Sequence, residues 1–164
     1  MALDIDLRHT AVLSMDFEND IVHPEGVLKE FGFAKMVADN SVLGKTGQLH
    51  PLGGTPQRRS AIGRHLGGTD PRPRGMSAST ASNLDQILRT NCIGTLLLAG
   101  VATSFVVEST ARQACNLGYN TVVVGDCCTS MNQEAHDSSL TTALPFICTI
   151  SSLEEVMNGL SVPA

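Results

Sequence analysis

The stretch Thr95-Leu-Leu-Leu-Ala-Gly-Val-Ala-Thr-Ser-Phe-Val-Val-Glu-Ser-Thr-Ala111 decides the fold. Its first five residues form a near-continuous apolar run, short enough for a strand buried on both faces. Gly100 then marks a tight turn, and a helical pattern begins near Ser104. A buried strand that turns directly into a helix belongs to open α/β sheets, which bind ligands outside the carboxyl ends of their strands.

Working outward, the same alternation repeats through residues 83–164. Helices are predicted over 83–91, 104–117, 133–143 and 152–160, with strands over 95–99, 121–125 and 146–150. Ser152-Leu-Glu-Glu155 has the residues of a capping box, with acidic groups where the helix dipole favours them. Toward the amino terminus, Ala11-Val-Leu-Ser-Met15 reads as a further strand that ends at Asp16, followed by a polar turn and a helix over about 33–43. Strands separated by helices imply a parallel sheet covered on both faces. The expectation is one α/β domain over 1–164, a three-layer αβα Rossmann-like sheet in which strand 11–15 neighbours strand 95–99.

Residues 48–82 fit neither pattern. They hold six of the 15 glycines, four of the seven prolines and five arginines, and no apolar run longer than two residues. The expectation is an irregular segment without a strand, which would leave strand 11–15 as an unpaired, partner-recruiting edge.

The formal charge of −5 excludes nucleic acid and anionic membrane as favoured partners. No apolar stretch approaches the ~20 residues of a membrane span, and residues 2–10 carry Asp4, Asp6 and Arg8, so a cytoplasmic protein is expected. The five cysteines are odd in number and show no C-x-x-C spacing, which argues against disulfides and zinc. Cys127 and Cys128 read as small buried residues at a strand end, and Cys115 as helix packing. No metal and no cofactor is expected.

Two blocks carry a family likeness. In the first, Ala11-Val-Leu-Ser-Met-Asp-Phe-Glu-Asn-Asp20 is followed by His23-Pro-Glu-Gly26. In the second, Leu84-Asp-Gln-Ile-Leu-Arg89, the Gly100–Ala111 turn, Gly118-Tyr-Asn-Thr-Val-Val-Val-Gly-Asp126, Glu134-Ala-His-Asp137 and Thr149-Ile-Ser-Ser-Leu-Glu-Glu-Val156 occur in order. Together they resemble the isochorismatase-like (cysteine hydrolase) superfamily. The resemblance implies a small-molecule hydrolase, assembled as a homo-oligomer, with Asp16 as a catalytic acid or base. It also implies that Val106 stands where many members carry a nucleophilic cysteine. Ala102-Thr103 matches a non-proline cis peptide that shapes the oxyanion pocket, and Phe105 is either a pocket-lining residue or part of the core.

The middle departs from that pattern. Relatives place two strands and a catalytic lysine there, whereas this chain has no lysine after Lys45. If Ser77-Ala78 keeps the family's Ser-Ala-Phe, the lysine position falls near Pro73, between Arg72 and Arg74. Arginine cannot shuttle a proton at neutral pH. A divergent loop is one account of this segment. A shifted reading frame is another, because GGC-ACC-TGG-GGG-GCA-CAG-ATC-CCC encodes a family-like Gly-Thr-x-Gly-Ala-x-Ile-Pro stretch. Read two nucleotides later, it gives His65-Leu-Gly-Gly-Thr-Asp-Pro71.

Among other polar residues, Ser104 is a candidate helix cap and Asp126 a candidate turn cap rather than a substrate contact. His136 reads as solvated or packed, and His50 and His65 show no ligand spacing. The metal-binding Asp-x-His arrangement of nicotinamidases is absent from the sequence. Two function classes follow: a Cys-independent hydrolase working through Asp16, within a lineage that includes amidases, or an inactive member that is a binding or oligomeric partner or a defective product.

Overall fold

The structure is a computed structural model that describes residues 3–49, 59–63, 77–78 and 83–161. Strands β1 (Ile5–Asp6) and β2 (Thr10–Met15) are followed by helices α1 (Asn19–Val22), α2 (Phe33–Asp39) and α3 (Val42–Leu49). Then come β3 (Arg59–Gly63), α4 (Leu84–Thr90), β4 (Thr95–Val101), α5 (Glu108–Asn116) and β5 (Asn120–Thr129). The chain closes with α6 (Gln133–Ser138), β6 (Thr149–Ser151), α7 (Leu153–Asn158) and β7 (Leu160–Ser161). Among the described residues, the main sheet has five parallel strands in the order β3-β2-β4-β5-β6. A parallel pair, β1 with β7, ties the two ends together.

Alternation along the central strands builds the layers. Leu13, Met15, Leu96, Leu98 and Val123 pack with Leu88 of α4 and with Ala111 and Ala114 of α5. Their neighbours Val12, Leu97, Ala99, Val122 and Val124 face the other side, against Leu49 of α3 and Leu153 and Val156 of α7. Such strands, buried on both faces, require the unbroken apolar runs seen in the sequence. A third cluster joins Val22, Phe33, Val37 and Val42 of the α1–α3 segment to Val101 and Ala102 at the carboxyl end of β4. The first segment therefore folds over the strand ends.

Several expectations hold and several are corrected. Strand 11–15 does pair with strand 95–99, in the register Met15↔Gly100. Ser152 and Glu155 form the capping box that opens α7. Residues 48–82, however, are not strandless. Arg59–Gly63 forms β3 alongside β2, so β2 is an interior strand and not an edge. The local sequence is too short in apolar residues to announce this strand, and backbone pairing with β2 supplies what propensity does not. The irregular stretch also does not begin at 48, since α3 runs to Leu49, which is fully buried. The single helix over 33–43 is two, broken at Asn40 and Ser41, where Ser41 takes φ 52. The last strand of the sheet lies at 149–151 rather than 146–150, because Leu144–Phe146 forms a 3₁₀ turn around Pro145. Cys115 is exposed and does not pack. His50, His65, Arg72, Pro73 and Arg74 lie outside the described residues. Among the described residues, no helix is long and apolar enough to cross a membrane.

Candidate functional site

The pairing of β2 with β4 brings the two sequence-marked turns together. Met15 lies opposite Gly100, so Asp16 follows on beside Val101 and Ala102. A Cβ on Gly100 would stand 2.9 Å from the Met15 carbonyl oxygen and 3.1 Å from the Val107 side chain. Glycine is thus the residue that lets the two strand ends approach. Asp16 itself has φ 58, a left-handed conformation that costs a non-glycine residue about 1 kcal/mol or more. Its side chain is half-buried.

The Val101–Ala102 peptide is cis. The match on Ala102-Thr103 is therefore displaced by one residue. A π-type turn over Thr103–Val107 follows, in which the Ala102 carbonyl accepts from both Phe105 N–H (3.1 Å) and Val107 N–H (3.3 Å). The turn leads directly into α5. Val106 is 8% exposed and packs in the apolar cluster that also holds Met15, Val107 and Ala111. Phe105 is 41% exposed, so it belongs to the surface at the turn and not to the core. Ser104 does not cap the helix; its hydroxyl meets that of Ser130 at 2.8 Å.

One residue that sequence reasoning set aside belongs here. His136 is 9% exposed, and its Nδ1 lies 2.8 Å from Oγ1 of the fully buried Thr103. Burial pushes its pKa below the usual imidazole value, opposed by the nearby Asp137 carboxylate. Thirty-three residues separate the pair, and α6 shows no ligand spacing, so nothing local announces the contact. Asp126 lies within β5 rather than after it, and its Oδ1 accepts the N–H of Leu153 at 2.8 Å, so it caps the start of the distant α7 and not the turn that follows the strand. Ser77-Ala78 does dock near the turn, with Ala78 N–H donating to Thr110 Oγ1 of α5 at 3.0 Å.

Three of the five native thiols are held neutral and not poised as nucleophiles. Cys127 and Cys128 are buried, as the sequence suggested, and desolvation pushes the Cys127 thiol up to about 12 and that of Cys128 higher still. Cys148, near the start of β6, is likewise pushed up to about 11 by burial. Thiols held neutral at physiological pH are poor nucleophiles. Among the described residues, no group of three or more His, Cys, Asp and Glu side chains is arranged to hold a metal ion.

The family described as Isochorismatase domain matches residues 72–155. The uncharacterized isochorismatase family protein YecD of Escherichia coli O157:H7 is 38% identical over 87 residues, which cover 53% of this chain and 46% of that protein. The uncharacterized isochorismatase family protein YwoC of Bacillus subtilis (strain 168) is 36% identical over 84 residues, 51% of this chain and 44% of that protein. The chain spans about half the length of the curated relatives it matches. A cysteine hydrolase from Pseudomonas syringae pv. phaseolicola 1448A shares the fold, with a TM-score of 0.73 over 94% of this chain and 93% of that one at 17% identity. With just over half of its length matched by the family, the chain belongs to the isochorismatase family.

Proposed function

We propose that the chain hydrolyses a small molecule without a cysteine nucleophile, using Asp16 as general acid and base. The observation that carries this reading is the placement of Asp16. It is a carboxylate in a left-handed conformation at the carboxyl end of β2, beside the close approach at Gly100. Strain of this kind persists where a site demands a particular side-chain direction.

A vinyl ether suits such a carboxyl. Asp16 in its acid form gives its proton to the enol carbon, forming a C–H bond and an oxocarbenium ion. Water adds to the cationic carbon and returns a proton to the carboxylate. The hemiketal then breaks its C–O bond to release an alcohol and a carbonyl compound. The backbone of the 102–107 turn, with Phe105 at its rim, is the proposed wall for the substrate's oxygen atoms. The proposal includes a homo-oligomer, for which the exposed Val27, Phe31 and Phe146 offer apolar contact.

A second reading is supported by a specific pair of observations. Val106 turns into the apolar cluster, and the sequence has no lysine after Lys45 to serve as the family's cationic partner. On that reading the chain is an inactive member that binds a partner or small molecule. Isochorismate and simple amides, offered to the native chain and to Asp16→Ala, separate the two. Turnover that disappears on substitution supports the hydrolase, and no turnover by either protein supports the inactive member.

A further inference from the structure

Three side-chain contacts converge on the 102–108 turn from one stretch of chain. Ser130 meets Ser104 at 2.8 Å, His136 Nδ1 meets Thr103 Oγ1 at 2.8 Å, and the Ser139 hydroxyl donates to Glu108 Oε2 at 2.9 Å. We propose that segment 130–139 is a clamp that positions the turn, with His136 as its main positioning residue, acting through Thr103.

The turn needs such support from outside. Its backbone is in π register, with the Ala102 carbonyl shared between two N–H donors, so its own ladder is weaker than that of an α-helix. Thr103 is fully buried, and a buried hydroxyl without a partner is costly. His136 supplies that partner. The clamp is itself anchored: Asn132 caps α6 by accepting the Ala135 N–H at 2.8 Å, which fixes the helix that carries His136. At the far end, Glu108 is held from its own helix by Arg112 as well as by Ser139.

The clamp has a titratable centre. The elements packed against α6 are the 103–107 turn, residues 139–143 and β5. Their titratable groups are Asp126, Cys127 and Cys128 of β5, and α6 adds Glu134 and Asp137. Protonation makes both ring nitrogens of His136 donors, which rules out acceptance at Nδ1 and places a charge beside the buried Thr103 hydroxyl. Acid should therefore loosen the turn before it loosens the sheet.

The relevance of the clamp to catalysis rests on the proposed site, but its test does not. Amide hydrogen exchange over 102–108, corrected for intrinsic rates, is compared among the native chain, His136→Ala and His136→Asn. Asparagine places a polar atom near where Nδ1 stands. The Ala variant should raise exchange there about tenfold while α4 and α7 stay protected, and Asn should restore much of the protection. In the native chain, protection of 102–108 should fall as pH drops from about 7 to about 5, and in His136→Asn it should not. If His136→Ala does not fold, Ser139→Ala gives the same readout at the Glu108 end. Unchanged exchange over 102–108, an equal rise across the whole sheet, or an unaltered pH profile in His136→Asn overturns the clamp. Failure of the hydrolase reading would appear instead as equal turnover by the native chain and Asp16→Ala, and it leaves these exchange results untouched.

Discussion

The two parts of the molecule are built on different logic. Residues 84–161 form β4, β5 and β6 in order, each strand joined to the next by its own helices, so the contacts that hold this part are mostly close in sequence. Residues 3–49 contribute β2, which is inserted between β3 and β4, and a set of short helices over the strand ends. The family match, over residues 72–155, lies mainly on the first arrangement. The second gives the sheet its centre and the proposed site its carboxylate. A reading confined to the better-matched part would therefore find the turn and miss Asp16.

Core truncation is the largest test of that contrast. Leu98→Ala removes a fully buried side chain at the middle of β4 and should cost about 2–5 kcal/mol in denaturant unfolding. Leu13→Ala, on β2, should cost a comparable amount, because Leu13 is 1% exposed in the same cluster. A much smaller loss at Leu13 would mean that the amino-terminal part is an accessory layer. A smaller effect probes the seam itself. Gly100→Ala pushes a methyl group against the Met15 backbone and should cost about 1–3 kcal/mol, with any Asp16-dependent activity falling further than stability does.

Much of this was legible from the chain. The apolar runs at 95–99 and 121–125 have no other use than strands buried on both faces, and they fixed the layers. Asp16 stood out because an acid ends an apolar run and an Asn-Asp and a Pro-x-Gly pattern follow it. β3 was hidden, because Arg59-Ser-Ala-Ile-Gly63 lies among turn-forming residues and owes its conformation to pairing with β2. The role of His136 was hidden for a related reason: its partner Thr103 is brought to it by the packing of α6 on the turn, not by spacing. Phe105, which the sequence leaves open between pocket wall and core, is 41% exposed at the turn, an outcome set by packing and not by its apolar character.

Smaller effects sharpen the picture within the carboxyl-terminal part. Ser152→Ala removes the cap that accepts the Glu155 N–H and should lower stability by about 1 kcal/mol, measured as a shift in the urea midpoint. His136 adds a pH term. Its folded pKa lies below the unfolded value of 6.5, so its contribution is fully present above that pH and is lost as pH falls below it. Stability measured against pH should decline through this window in the native chain and more shallowly in His136→Asn. A parallel decline in both would assign the loss to other groups.

On the proposed reading, the family's chemistry runs here through a carboxylate and without a thiol. Its most direct test is the hydrolysis of isochorismate by the native chain before and after alkylation of its accessible cysteines, alongside Asp16→Asn. The account predicts activity that survives alkylation and falls by about 10²–10⁴-fold in Asp16→Asn. Activity abolished by alkylation, or retained in Asp16→Asn, would contradict it.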